Sequence, residues 1–117
     1  MNKRTIYLDS AAATPVFPEV VKEMQKYFFD NYGNPSSLHY LGDEAFKAIT
    51  DARKKIALEI GAKPEEIIFT SGATEANNLA LQGIAKARKE KNKILISAIE
   101  HPSVYETCAS LKSWGYQ

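Results

Sequence analysis

The chain has 117 residues, enough for one small domain, which at this size buries somewhat over ~60% of its unfolded surface without help from metals or disulfides. Fifteen Lys and Arg stand against 14 Asp and Glu, and neither sign gathers into a block; this argues against a nucleic-acid binder and gives no reason to expect a membrane surface. A single cysteine, Cys108, excludes an internal disulfide framework, the N-terminal MNKR leads into no apolar leader, and no run approaches the roughly 18 apolar residues of a membrane span, so a soluble cytoplasmic α/β protein is expected.

Residues 5–15, TIYLDSAAATP, read as a short extended entry followed by a small-residue arm. A first helix is predicted from Pro18 to about Tyr32. Pro18 suits the first helical position, Glu19 complements the positive helix end, and Val20, Val21, Met24, Tyr27 and Phe28 recur at helical spacing. Gly33-Asn34-Pro35 then stops it. The loop Gly33–His39 reads as a structured turn, because a serine and a histidine close in sequence make no triad without a third member.

A second helix is predicted from Tyr40 to Ile60, with Leu41, Ala45, Ile49, Ala52, Ile56 and Ile60 as its apolar stripe and Gly61 as its stop. The period then changes. Ile67–Thr70 is apolar at successive positions, as in a strand covered on both faces. Ser71-Gly72-Ala73-Thr74 breaks that run and opens a third helix, predicted to reach Lys89, with Ala76, Ala80, Gly83, Ile84 and Ala87 on its packed face. Lys86, Arg88 and Lys89 suit its negative end. Ile94–Ile99 reads as a second buried strand. A fourth helix is predicted from Pro102 to near Gly115, with Val104, Cys108 and Leu111 facing inward. Strand, helix, strand, helix is the pattern of an α/β domain with a parallel or mixed sheet. A third strand is due at Gly115–Gln117, so the chain reads as incomplete.

Two features carry chemistry. A buried strand that ends in Ser71–Thr74 and starts a helix at once aims backbone N–H groups and the positive helix end at one point. Gly72 lets a ligand approach and the Thr74 hydroxyl adds a donor, which makes a phosphate cradle. It matches neither the Walker spacing nor the dinucleotide glycine fingerprint, and an ordinary strand-to-helix turn accounts for it equally well. Glu100-His101-Pro102 lies beyond the second strand, at the sheet edge where ligands gather, so His101 can stack on an aromatic ligand or transfer protons, or simply start a helix. His39, His101 and Cys108 form no set with metal-ligand spacing. Cys108, on an apolar helix face, reads as structural.

Together YLDSAAATPVFP, GNPSSLH, IIFTSGATEANNLAL and EHPSV resemble, in order and spacing, the cysteine desulfurases of the class V aminotransferase group, and EHPSV after GNPSSLH is similar to the iron–sulfur-cluster-assembly type. The resemblance implies the N-terminal part of a fold type I, pyridoxal-phosphate-dependent transferase with an incomplete parallel or mixed sheet. It divides the chain into an arm over 1–15, a helical part over 16–62 that contributes to a small domain and dimer interface, and the start of a cofactor-binding large domain over 63–117. It implies L-cysteine as substrate, L-alanine and a persulfide as products, and a sulfur-accepting scaffold as partner. It assigns Gly72, Ala73 and Thr74 to the cofactor phosphate, and His101 to the pyridine ring and to catalysis. Ser10, Ala13 and Phe17 depart from the family's usual arm. The cofactor-anchoring lysine, its aspartate partner and the persulfide cysteine lie later in the family, so these residues alone are expected to be inactive and to need a remaining segment or homodimer partner. The alternative is a non-catalytic module that keeps the cradle, or a scaffold pairing with a complete desulfurase.

Overall fold

The computed structural model describes residues 5–88 and 90–117, which form two compact units meeting at Ile67 and Ile68. The leading MNKR and Lys89, with the readings placed on them, lie outside the described residues. In the first unit the arm is irregular and pinned by a turn, with Ala12 N donating to Asp9 O at 3.0 Å. Helix α1 spans Pro18–Phe29. It ends three residues before the predicted Tyr32 because Asp30 and Asn31 both donate to Lys26 O, at 3.0 and 2.8 Å, and close the last turn. None of its residues is buried within the unit, and Val20, Val21, Met24, Tyr27 and Phe28 remain exposed.

Helix α2 spans Tyr40–Glu59. Its start is capped by His39, whose Nδ1 accepts from Gly42 N at 3.4 Å. Its end is a Schellman motif: Gly61 takes φ +66°, Ala62 N donates to Ala57 O at 2.8 Å and Gly61 N to Leu58 O at 3.3 Å. The covered positions are Gly42, Ala45 and Ala57, whereas Ile49, Ile56 and Ile60 of the expected stripe are exposed. Gly42 is small because the Ser37 and Asn34 carbonyls close over it; elsewhere the 3-10 turn Pro64–Glu66 packs on α2, and the Arg53 guanidinium reaches the Ile67 carbonyl.

In the second unit, α3 spans Ala73–Ala87 and α4 spans Pro102–Ser110, running on into a 3-10 turn, Leu111–Trp114. Gly115 stops that turn at φ +89°. The packed face of α4 is Ser103, Thr107 and Leu111, one turn apart, and Leu111 is fully buried. The covered residues of α3 include Asn77, Asn78, Leu81, Gln82 and Ala85; of the expected stripe Ala76, Ala80, Gly83, Ile84 and Ala87, Ala76 alone is partly covered. Paired amides and hydroxyls decide that register, with Thr107 Oγ1 2.9 Å from Asn78 Oδ1 and Asn77 Nδ2 2.8 Å from Ser103 Oγ. No helix among the described residues is long and apolar enough to cross a membrane.

The two predicted strands are not seen as a sheet. Among the described residues Ile67–Thr70 and Ile94–Ile99 form no ladder. A strand exists only with a neighbour, and neither segment has one along its length here. One fragment of the expected pattern is present: Gln117 N donates to Asn92 O at 2.7 Å, and Gln117 O accepts from Ile94 N at 2.9 Å. Bonding one residue to both neighbours of the residue opposite is how parallel chains pair.

Candidate functional site

Gly72 is the N-cap of α3, with extended backbone at φ 165°, and a side chain there would meet nothing within 4 Å. The space over it is therefore open. The first intrahelical bond comes from Ala76 N to Gly72 O at 3.1 Å, so the amide groups of Gly72, Ala73, Thr74 and Glu75 have no partner in the helix's own pattern. Ser71 is already committed, because Glu75 Oε2 accepts both its backbone N–H and its hydroxyl at 2.7 Å. These bonds, the backbone one first, hold the Glu75 carboxyl below the usual carboxylate range. A carboxylate at the positive helix end also suits the dipole.

His101 is the N-cap of α4, with Pro102 at the first helical position. Its Nδ1 accepts from Ser103 N at 3.1 Å and lies 2.8 Å from Ser103 Oγ. Thr74 and His101 both line one open concavity of about 480 Å³, with Asn78, Ser103, Glu106 and Thr107 among its other walls. Gly72 and Ala73 do not line it themselves; they sit beside Thr74 at the helix start. Polar side chains behind the concavity are satisfied: Asn78 Nδ2 donates to Thr74 O at 2.9 Å, and Gln82 Nε2 to Asn78 Oδ1 at 3.2 Å. The donor set suits a phosphorylated aromatic compound, with amide groups and a hydroxyl for the anion and an imidazole for the ring.

Other candidates lie elsewhere. His39 caps α2 in the first unit. Cys108 is half-buried on α4, and burial, followed by the nearby Glu100 charge, pushes its thiol up, which fits the structural reading. No group of three or more metal-ligating side chains is assembled among the described residues. Sequence reasoning missed Glu75, Asn77 and Ser103. An acidic residue in the first helical turn signals Glu75, whereas the other two become visible only when α3 meets α4.

The aminotransferase class-V model matches residues 6–117. The cysteine desulfurase IscS of Dictyoglomus turgidum is 49% identical over 98% of this chain, and that of Methanosarcina thermophila 47% over 99%. The chain spans 29% of the length of each of these relatives. Among solved structures, a NifS-like protein superposes with a TM-score of 0.89 at 39% identity, covering 96% of this chain and 31% of its own. DndA from Streptomyces lividans superposes at 0.78 with 38% identity, over 96% of this chain and 32% of its own. With a match running through both units and relatives near half identity, the chain belongs to the aminotransferase class-V family.

Proposed function

We propose that this chain is a segment of a pyridoxal-phosphate-dependent cysteine desulfurase of the iron–sulfur-assembly type, acting on L-cysteine and passing sulfur to an acceptor protein. The reading includes a fold type I architecture, completed by sheet neighbours for the extended segments, and a cytoplasmic location. The observation that carries it is the placing of Thr74 and His101 on one concavity, at the starts of two helices. The names of the relatives, both cysteine desulfurase IscS, support the chemistry.

In this reading the free amides of Gly72, Ala73 and Thr74, with the Thr74 hydroxyl, hold the cofactor phosphate. Charge-assisted bonds from rigid backbone donors suit a dianion, and the helix dipole adds to them. The His101 imidazole lies against the ring. When bound, pyridoxal phosphate supplies the electron sink for chemistry at the substrate's α- and β-carbons. His101 is placed to hold or move a proton beside it. Glu75 keeps Ser71 occupied and fixes the loop that leads into the cradle.

The test is calorimetric titration of pyridoxal phosphate into the native polypeptide and its Thr74→Val variant. Losing a hydrogen bond to a charged group should weaken binding roughly 10- to 150-fold. Equal affinities would remove the phosphate assignment.

A further inference from the structure

His101 is gripped by a residue two places further along α4. The Ser103 backbone N–H lies 3.1 Å from His101 Nδ1, and an amide N–H only donates. Nδ1 therefore carries no hydrogen, and in the neutral ring the proton sits on Nε2. The Ser103 hydroxyl oxygen is also 2.8 Å from Nδ1. Facing a nitrogen without a hydrogen, that hydroxyl must be the donor. Its lone pairs are then free to accept, and Asn77 Nδ2 on α3 stands 2.8 Å away to fill one. Each direction follows from the one before: Asn77 amide to Ser103 hydroxyl, Ser103 hydroxyl to His101 Nδ1.

Ser103 is 8% exposed and Asn77 is half-buried, which partly shields the Asn77–Ser103 bond from water. Contact between two helices does not require them, since a matched apolar pair packs about as well as a hydrogen-bonded one. A half-buried amide aligned on a buried hydroxyl, which is aligned on an imidazole, sets a direction that packing alone would not.

We propose that Ser103 and Asn77 are positioning residues for His101. They hold the ring through Nδ1 and leave Nε2–H as its one nitrogen able to meet a ligand in the concavity shared with Thr74. His101 thus meets that ligand through Nε2–H, as a hydrogen-bond donor in a fixed orientation. The purpose of this arrangement rests on the cofactor reading above; its geometry does not.

The test is nitrogen-15 NMR of the native polypeptide labelled at histidine, at a pH where the ring is neutral. Signals of His101 are identified by their loss in His101→Gln. The parent protein is expected to show an unprotonated, hydrogen-bonded Nδ1 and a protonated Nε2. In Ser103→Ala the backbone donor remains and the hydroxyl is lost, so the tautomer ratio should fall roughly two- to tenfold, with Nδ1 moving toward a free nitrogen. Ser103→Thr keeps a hydroxyl and should restore the parent spectrum. Asn77→Asp puts an acceptor where a donor stood, with nearly the same shape. The Ser103 hydroxyl then turns to the carboxylate, and the Nδ1–H tautomer should become measurable. Identical His101 nitrogen shifts in the parent, Ser103→Ala and Asn77→Asp would overturn the proposal, as would a protonated Nδ1 in the parent. No ligand is present in these measurements. Failure of cofactor binding therefore sinks the functional reading alone, and an unmoved tautomer sinks the positioning proposal alone.

Discussion

Gly42 and Ser37 approach so closely that a Cβ on Gly42 would lie 2.1 Å from the Ser37 carbonyl oxygen, with the Asn34 carbonyl oxygen at 2.9 Å. Both obstacles are backbone, so a methyl group there must push the Gly33–His39 loop off the start of α2. Gly42→Ala is expected to destabilise the protein by about 1–3 kcal/mol. Gly83→Ala is the contrast, because that glycine lies inside α3 with nothing within 4 Å of the added carbon. It should stabilise by roughly 0.5–1 kcal/mol through helix propensity. Denaturation midpoints of the native polypeptide check both, and a Gly42→Ala midpoint at or above the parent's would contradict the close approach.

Leu111 is the only large side chain fully buried among the described residues, and it seats the end of α4. Leu111→Ala is expected to cost about 2–4 kcal/mol, from lost transfer energy plus the cavity left behind. Leu111→Met conserves volume and should cost less than about 1.5 kcal/mol. Urea unfolding followed by Trp114 fluorescence measures both, and equal losses would show that the site is not tightly packed.

The Glu75–Ser71 contact sets a pH dependence. The folded carboxyl titrates below the unfolded one, so its bonds stabilise the start of α3 fully above the ordinary glutamate range. That contribution fades as pH falls through the lowered folded value. Hydrogen exchange at the Ser71 amide should accelerate on that acidification beyond the intrinsic trend. In Glu75→Gln the acid-induced step should vanish. A Glu75 carboxyl that titrates at the ordinary value by carbon-13 NMR would rule this out.

Cys108 should behave as an inert thiol. With its pKa raised by burial, little thiolate is present at neutral pH, and attack on an electrophile should be slow. Alkylation by iodoacetamide is expected to lag behind that of free cysteine and to quicken as pH rises. The 117 residues by themselves, given pyridoxal phosphate, L-cysteine and a thiol reductant, should release no sulfide above a cofactor-only control. Release proportional to protein would show that Cys108 or another group carries sulfur after all.

Punctuation was the most legible part of the sequence. Pro18, Gly61, Gly72 and Pro102 mark helix ends through local chemistry: α1, α3 and α4 start at Pro18, just after Gly72 and at Pro102, and α2 stops before Gly61. Faces were harder to read. Periodicity favours Ala80 and Ile84 as the packed side of α3, yet Asn77 and Asn78 take it, because their partners Ser103 and Thr107 come from another helix, and Gln82 joins them by donating to Asn78 one turn back. The strand readings at Ile67–Thr70 and Ile94–Ile99 rested on composition, whereas a ladder depends on a neighbour that composition does not specify. Helix-start logic singled out Gly72, Thr74 and His101, and each lies at the start of a helix. The grip on the His101 ring depends on Asn77, distant in sequence, and no local pattern announces it.

The two bonds between Gln117 and the Asn92–Ile94 segment also bear on the order of folding. Parallel partners cannot meet across a tight turn, and here the connection must first wind through α4 and its 3-10 continuation. Helix turns form in about a microsecond or less, while non-local pairing waits for the intervening chain to compact. The turns of α4 are therefore expected to form earlier than the Gln117 pairing, and the direction in which Gln117 runs is set by a helix.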